Sequence, residues 1–250
     1  MNLLPIDKSL TIEIVNLSKR FGSLTAVDNL NLQISSGEFF GFLGPNGAGK
    51  TTTLNMLTTL IKPTAGKVKI CGFDLETQSM EIKHLIGLMP DNPQIYQSLT
   101  GRQFIYFVAS LYGLKKTDIE EPMTYYLRLL DMLSVLDDPI KSYSFGMQKK
   151  ILLVSVLVRQ PKVLFLDEPT AGLDPKSANT VKKILRQHCQ KGRTVFMTTH
   201  ILQMVEQVCD RIGIIQHGKL VAIGTLTELK SRTNDMSLEN IFLQFTEGAK

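Results

Sequence analysis

The chain has 250 residues, of which 43% are hydrophobic and 20% are charged, and its formal net charge is +5. This composition is that of a globular domain and excludes a disordered or low-complexity protein. Its apolar runs are shorter than the roughly 18 residues of a membrane-spanning helix, and the start MNLLPIDKSL lacks the features of a secretion signal. We therefore expect no transmembrane segment in this protein, so that any work at a membrane needs another subunit.

The positive charge is spread along the chain, which makes the basic bias mild. The lysine pairs predict solvated faces, and they permit phosphate ligands or an anionic membrane surface without requiring nucleic acid. The three cysteines have no metal-site spacing, which favours reduced thiols in a cytosolic protein. The lysine pairs are Lys115-Lys116, Lys149-Lys150 and Lys182-Lys183.

The first third of the chain predicts strands followed by a helix. Residues 10–16 and 30–34 alternate apolar and polar side chains, as half-buried antiparallel strands do. The run EFFGFL at 38–43 is mostly apolar and indicates a buried strand. A helical pattern begins at Thr51 and is expected to stop before Pro63, because the residue preceding a proline avoids the helical conformation.

Residues 92–160 have helical patterns with little strand signal, which indicates a helical insertion. Strand signals return in VLFLD at 163–167 and TVFMTT at 194–199, and the amphipathic segment between them predicts a right-handed βαβ unit. Near the end, GIIQHGKLVAIG predicts a hairpin that turns at His217-Gly218, and SLENIFLQF predicts a final amphipathic helix.

The segment GPNGAGKT matches the phosphate-binding pattern G-x-x-x-x-G-K-[ST] between a predicted strand and a predicted helix. Its glycines let backbone N–H groups face the phosphates at the helix N-terminus, where the helix dipole adds partial positive charge. Lys50 is expected to reach the β- and γ-phosphates, and the hydroxyl of Thr51 is expected to ligate Mg²⁺. The expected nucleotide-binding residues of this loop are Gly44, Pro45, Asn46, Gly47, Ala48, Gly49, Lys50, Thr51 and Thr52.

These elements predict an α/β fold, a P-loop NTPase core with a mainly parallel sheet and an N-terminal antiparallel β region. We expect a single domain over residues 1–250. Its core comprises residues 1–90 and 161–230, a helical subdomain is inserted at 91–160, and a helical tail follows at 231–250.

Acidic residues and a histidine end two predicted neighbouring strands. Asp167 and Glu168 lie at the edge where open parallel sheets bind ligands. Asp167 suits a water-mediated contact to Mg²⁺, and Glu168 suits a general base that polarises the water attacking the γ-phosphate. His200 follows the next parallel strand and should reach the same edge. We expect His200 to hydrogen-bond the γ-phosphate and thereby distinguish ATP from ADP.

The stretch YSFGMQKK at 143–150 predicts a second helix start ahead of a strand. Ser144 is a good N-cap, and its helix should run to about Arg159, before Pro161. A helix N-terminus with a Ser hydroxyl and the nearby Gly146 is a candidate anion site. Taken alone, the same residues are better explained by an ordinary helix cap, and the anion site is favoured only because a phosphate loop precedes them.

The motifs in this order resemble those of the nucleotide-binding subunits of ABC transporters, over nearly the whole chain. The resemblance implies that YSFGM at 143–147 is the signature loop, which is usually Leu-Ser-Gly-Gly-Gln in that family. Ser144 and Gly146 match the pattern, whereas Phe145 and Met147 depart from it.

The resemblance further implies a homodimer with two shared sites. Ser144 of one subunit would contact the ATP held by Lys50 of the other, and Asp174 in the loop AGLD would lie at the interface between them. An aromatic residue ahead of the phosphate loop stacks on adenine in the family, and Phe21 takes that place. A core Phe at a strand end is the alternative interpretation of Phe21.

Asp91 in GLMPDNP departs from the family pattern, in which a Gln usually touches Mg²⁺ and relays the nucleotide state to the membrane partner. A carboxylate can also ligate Mg²⁺, directly or through water. We therefore expect Asp91 to be a metal ligand and activity to depend more steeply on Mg²⁺ than with Gln. Gln94 would take the role if the loop were shifted.

The function implied by the resemblance is an ATPase that uses ATP and Mg²⁺ to power a separately encoded transmembrane permease from the cytoplasmic face of the membrane. The stretch YSFGMQKK, the acidic residue at 91 and the tail SLENIFLQF resemble the exporter-type, ABC-2-like subfamily. No nucleic-acid partner is expected. The alternative is a soluble ABC ATPase that works with a cytosolic iron–sulfur cluster assembly or with ribosomes.

Overall fold

The computed structural model describes residues 10–233 and 237–247. The expectation about the segment before Leu10, and the parts of the expected tail at 234–236 and 248–250, lie outside these ranges. Within them the chain forms two sheets and a set of helices, which confirms the predicted α/β class. The strands are β1 Leu10–Phe21, β2 Leu24–Ser35, β3 Phe39–Leu43, β4 Ala65–Ile70, β5 Phe73–Asp74, β6 Ile86–Met89, β7 Val163–Asp167, β8 Thr194–Thr199, β9 Arg211–Gln216 and β10 Lys219–Gly224.

The larger sheet has six strands in the order β10-β9-β3-β8-β7-β6. All neighbours pair in parallel except β10, which forms a hairpin with β9. The expected parallel pairing of the strands ending at Asp167 and Thr199 is confirmed by the register Asp167↔Thr198. Strands β3, β7 and β8 are fully buried, as continuous apolar runs in a parallel sheet should be.

Aromatic side chains fix the packing beneath the functional edge of this sheet. The ring of Phe196 lies 5.4 Å from that of Phe42 and 5.7 Å from the rings of Phe40 and Phe165. All four side chains are fully buried. Such contacts add about 0.5–1.5 kcal/mol per pair to the burial of apolar area. The rigid core therefore sets the positions at which β3, β7 and β8 end.

The smaller sheet is antiparallel, with the order β2-β1-β4-β5. Its first two strands are longer than the sequence pattern predicted, because pairing continues to Phe21 and Leu24 on either side of a tight turn. Gly22 has a φ of 56° in that turn, a conformation that favours glycine. The turn places Phe21 at the end of β1, where the side chain is half exposed.

The helices are α1 Lys50–Leu57, α2 Ser79–Leu85, α3 Gly101–Leu111, α4 Lys116–Leu129, α5 Phe145–Leu157, α6 Pro175–Gln190, α7 Leu202–Val208, α8 Leu226–Arg232 and α9 Leu238–Glu247. Helices α3, α4 and α5 occupy the segment expected to be a helical insertion. Across the described ranges, no helix is both long and apolar enough to cross a bilayer.

One helix is shorter than expected. The pattern predicted a helix continuing toward Pro63, but α1 ends at Leu57. Thr59 adopts a left-handed conformation with a φ of 64°, and the N–H of Leu60 bonds to the carbonyl of Asn55 instead of continuing the helical ladder. The end of α1 is therefore set by the backbone of Thr59 and Leu60 and not by Pro63.

Candidate active site

A cavity of about 610 Å³ lies at the edge of the six-stranded sheet where β3, β7 and β8 end. It brings together the end of β1, the phosphate loop with α1, the residues after β7 and β8, and the turn between β9 and β10. Its lining residues are Phe21, Leu24, Thr25, Ala26, Asn46, Gly47, Gly49, Lys50, Thr51, Thr52, Asp91, Asp167, Glu168, His200, His217 and Gly218. Most of the predicted site residues therefore share one cavity.

The phosphate loop requires glycine where the chain makes a close approach. Gly49 has a φ of 109°, and a Cβ atom added there would lie 2.5 Å from the carbonyl oxygen of Ala26. Gly44 and Pro45 do not line the cavity; instead, their carbonyl oxygens accept hydrogen bonds of 2.7 and 3.0 Å from Lys50 Nζ. Ala48 is also behind the cavity, and its carbonyl accepts a hydrogen bond from the backbone N–H of Gly218.

The Lys50 ammonium lies in the cavity but is largely buried. Burial lowers the pKa of Lys50, while the nearby charges of Glu168 and Asp167 oppose that change. The ammonium therefore donates hydrogen bonds to two backbone carbonyls and lies near two carboxylates. A triphosphate would supply stronger, charged acceptors at the same place.

Oxygen donors for a divalent cation converge at Thr51 and Asp167. The hydroxyl of Thr51 donates a 3.1 Å hydrogen bond to Oδ2 of Asp167, and the hydroxyl of Thr198 donates to Oδ1. A hydroxyl and a carboxylate beside a phosphate loop form the hard donor set that Mg²⁺ prefers. The residues present therefore fit Mg²⁺, and Thr51 and Asp167 are the side chains that would hold it.

The carboxylate of Glu168 is held by three donors. Oε2 accepts a hydrogen bond of 2.8 Å from the hydroxyl of Thr199, while Oε1 lies 2.9 Å from the backbone N of His200 and 2.6 Å from its ring Nδ1. The backbone of Glu168 has a φ of 47°, which is rare for a non-glycine residue and costs about 1–3 kcal/mol. Strain of this kind is typical of functional sites, where the surrounding structure maintains it.

Asp91 lines the cavity, and one of its oxygens is already paired. Oδ1 accepts a hydrogen bond of 2.9 Å from Lys149 Nζ. The carboxylate is half exposed, whereas the Lys149 side chain is fully buried. A role for Asp91 in metal binding stays a prediction, and the ion pair means that Mg²⁺ would share this carboxylate with an ammonium. Gln94, the alternative, is not among the lining residues.

The end of the cavity farther along β1 is suited to a flat aromatic ligand. Phe21 is 49% exposed there, next to Leu24, Thr25 and Ala26. The ammonium of Lys19 lies 4.9 Å from the centroid of the Phe21 ring. This exposure does not fit the alternative interpretation of Phe21 as a core side chain. A base stacked on Phe21 would gain about 1–3 kcal/mol.

The expected signature loop is outside the cavity. Ser144 caps α5 by accepting a hydrogen bond of 3.3 Å from the N–H of Met147, and its side chain is exposed. A Cβ atom added at Gly146 would lie 3.2 Å from the carbonyl oxygen of Gly172, so the loop packs closely against the AGLD segment. The structure therefore does not bring Ser144 to the nucleotide cavity of its own chain.

Asp174 is also outside the cavity and serves as the N-cap of α6. Its carboxylate accepts hydrogen bonds of 2.9 Å from the N–H and 2.5 Å from the hydroxyl of Ser177. These bonds, led by that of the Ser177 hydroxyl, lower the pKa of Asp174. A nucleotide contact by Asp174 stays a prediction, and its ordinary role as a helix cap is visible within one chain.

Sequence reasoning missed three parts of this site. Lys149 was expected on a solvated face, but this is wrong, since the residue is 1% exposed. Thr199, which holds Glu168, could have been inferred from the strand end TVFMTT. His217 reaches the cavity because the N–H of Gly218 bonds to the phosphate loop at Ala48. In the sequence, only the predicted hairpin turn at His217-Gly218 indicated its position.

Comparison with known proteins agrees with this geometry. The family model described as ABC transporter matches residues 27–171. The linearmycin resistance ATP-binding protein LnrL of Bacillus subtilis is 36% identical over 217 residues, which cover 87% of this chain and 70% of LnrL. The probable multidrug ABC transporter ATP-binding protein YbhF of Escherichia coli is 35% identical over 238 residues, which cover 93% of this chain. The chain matches only 41% of the length of YbhF.

A solved structure of an ATP-binding subunit of an ABC transporter superposes with a TM-score of 0.89 at 26% identity, covering 95% of this chain and 99% of the other. The chain therefore belongs to the ABC transporter family, in which it is an ATP-binding, ATP-hydrolysing subunit similar to those of the exporter type.

Proposed function

We propose that this ATPase powers a separately encoded membrane permease that exports its cargo, and that it works as a homodimer on the cytoplasmic face of the membrane. The observation that carries the proposal is an incomplete site. Lys50, Thr51, Asp167, Glu168 and His200 are adjacent to one cavity, while the signature serine is exposed elsewhere.

The residues of the cavity divide the work of hydrolysis. The phosphate loop and Lys50 bind the triphosphate and stabilise the charge that develops on it. Hydrogen bonds from Thr199 and His200 orient the Glu168 carboxylate to polarise the attacking water. Mg²⁺ held by Thr51 and Asp167 would neutralise phosphate charge when bound. Catalysis then depends mainly on positioning and charge stabilisation.

Dimer closure supplies the missing contact. An exposed Ser hydroxyl at a helix N-terminus can bind a phosphate, and Ser144 lies outside the nucleotide cavity of its own chain. A two-fold pair places each such group against the partner's ATP and produces two equal sites. Binding of ATP would favour the closed pair, and hydrolysis would remove the γ-phosphate contact and reopen it.

The permease would dock on an apolar surface of the helical insertion formed by Tyr96, Phe107 and Leu111. Leu111 is 64% exposed and Tyr96 is 61% exposed, and the Tyr96 ring packs edge-on against Phe107 at 5.4 Å. Phe107 and Leu111 are four residues apart on α3 and so share a face. Exposed apolar groups of this kind mark interaction sites. The names of LnrL and YbhF, which refer to resistance and to drugs, support export as the direction.

The test is purification of the tagged chain from detergent-solubilised membranes, with mass spectrometry of its partners. A stoichiometric protein with many membrane spans is the expected result. Leu111→Glu should lose this partner, whereas Leu133→Glu, at a residue 41% exposed elsewhere on the insertion, should retain it. Recovery only with ribosomes or an assembly scaffold in the soluble fraction would keep the ATPase and overturn transport.

A further inference from the structure

Lys149 is a buried cation directly behind the nucleotide cavity. Its side chain is 0% exposed, and its Nζ donates hydrogen bonds of 2.9 Å to Oδ1 of Asp91 and 2.8 Å to the carbonyl oxygen of Glu168. The ammonium also lies 5.2 Å from the centroid of the Phe145 ring. A buried ammonium is tolerated only when its donors are satisfied. These contacts satisfy the Lys149 ammonium and give it a definite place.

The ammonium joins three segments that are far apart in sequence. Lys149 belongs to α5, whose N-cap is Ser144 of the signature loop. Asp91 follows β6 and lines the cavity, and Glu168 follows β7 at the end of the neighbouring parallel strand. Lys149 therefore contacts Asp91, an expected metal ligand, and the peptide of Glu168, the expected base. It belongs to α5, the helix expected to contact the partner's ATP.

The peptide of Glu168 needs to be held. Its φ of 47° is strained for a residue with a side chain, and its N–H is fixed by a hydrogen bond of 3.0 Å to the carbonyl of Thr198. Lys149 holds the carbonyl side of the same residue. Because both sides of the backbone are fixed, the carboxylate keeps the direction in which Thr199 and His200 bind it.

The positive charge of Lys149 also has an electrostatic role at Asp91. A carboxylate at position 91 stands at the rim of a cavity meant for a polyanion, where unpaired negative charge would oppose ATP binding. The ammonium neutralises Asp91 from behind the cavity wall. A Gln at position 91 would not need this counter-charge.

We propose that Lys149 is a positioning residue for ATP hydrolysis, which holds the Glu168 peptide and the Asp91 carboxylate with a single ammonium group. It thereby couples α5 and the signature loop to the general base. This inference rests on the proposed role of Glu168. Displacement of α5 on dimer closure would act on the base through Lys149, without any contact between Lys149 and ATP.

The experiment compares kcat and KM for ATP hydrolysis with ATP binding measured separately for each variant. Lys149→Met removes the charge at similar length and should lower kcat at least about tenfold. The Kd for ATP should rise by a smaller factor, about threefold, because Asp91 then lacks its counter-charge at the cavity rim. Lys149→Arg keeps a cation with enough donors for both acceptors, so it should recover most of kcat. Lys219→Met breaks the exposed Lys219–Asp28 ion pair and is the matched control, with parental kcat expected.

Two further variants separate the two contacts of the ammonium. Asp91→Asn leaves the Glu168 bond in place and should lower kcat by about threefold at most. The double variant Lys149→Met, Asp91→Asn should have the same low kcat as Lys149→Met alone, because the Glu168 peptide is still unheld. A kcat of the double variant that is lowered by the product of the two single-variant factors would contradict a shared ammonium.

The outcomes are separable. A Lys149→Met protein with kcat within about twofold of the parent, or one whose ATP affinity falls as much as kcat without rescue by Lys149→Arg, overturns the inference. If Lys149→Met fails to fold, Lys149→Arg and Asp91→Asn are compared with the parent instead. A kcat of Lys149→Arg as low as that of Glu168→Gln would refute positioning by charge. Failure of the proposed role of Glu168 appears differently, as parental kcat in Glu168→Gln.

Discussion

The ring Nδ1 of His200 lies 2.6 Å from Oε1 of Glu168, and the backbone N–H of His200 donates to the same oxygen at 2.9 Å. The His200 side chain is 60% exposed, whereas that of Glu168 is 11% exposed. The histidine is thus the solvent-facing partner of a carboxylate held inside the protein. Its ring nitrogens can orient Glu168 on one side while the exposed edge remains accessible to a phosphate.

Replacement of Glu168 by Gln keeps the shape of the side chain and removes the base. We expect ATP binding to survive and hydrolysis to fall by about 10²–10⁴-fold, because general-base assistance contributes that much. The ATP-bound dimer should then accumulate, which size-exclusion chromatography with nucleotide analysis can measure. Glu121→Gln, at an exposed position on α4, is the control and should remain parental. A Glu168→Gln protein that retains no ATP would argue against Glu168 as the base.

Substitutions at His200 distinguish its two ring nitrogens. An Asn amide nitrogen falls near the position of Nδ1, and a Gln amide nitrogen falls near that of Nε2. If His200 acts mainly by holding Glu168, His200→Asn should lose about tenfold less kcat than His200→Ala. Rescue by His200→Gln instead would favour the predicted contact with the γ-phosphate. Steady-state kinetics at saturating ATP make this comparison.

Local patterns predicted the ends of the parallel strands and the phosphate loop, since each depends on residues close together in sequence. Hydrophobic runs located β3, β7 and β8, and parallel pairing then put Asp167 and Glu168 at one edge. The burial of Lys149 could not be predicted in this way. Its partners are 58 residues earlier and 19 residues later, so its environment exists only once the tertiary structure has formed.

Sharing of the site between subunits can be tested with two inactive variants. Lys50→Met removes the phosphate contact in one chain, and Ser144→Asp keeps the helix cap in the other while placing negative charge where the partner's phosphate would bind. A heterodimer of the two, purified through two different tags, retains one intact site only if Ser144 acts on the partner's ATP. We expect it to have about half the ATPase rate of the parent dimer. Inactivity of the heterodimer would support sites contained within single chains.

His188 makes stability depend on pH. It is 3% exposed, and burial first, then the charges of Arg193 and Lys191, lower its pKa to about 3. His188 takes up a proton near pH 6.5 in the unfolded chain but only near pH 3 in the folded chain. Its contribution to the free energy of unfolding is therefore fully present above pH 6.5 and is lost progressively as the pH falls toward 3. The free energy of unfolding should be about 2 kcal/mol lower at pH 5 than at pH 7. Urea unfolding of His188→Leu should lack this part of the decline.

The carboxylate at position 91 should affect the metal dependence of hydrolysis. Asp91 lines the cavity and adds negative charge near the phosphates, partly offset by Lys149. The parent should therefore depend more steeply on Mg²⁺ than Asp91→Gln, because the cation relieves repulsion that the amide does not cause. ATPase rates over a Mg²⁺ titration at fixed ATP make the comparison, with Asp137→Asn, at an exposed carboxylate paired with Arg102, as the control. Identical titration curves for the parent and Asp91→Gln would refute this prediction.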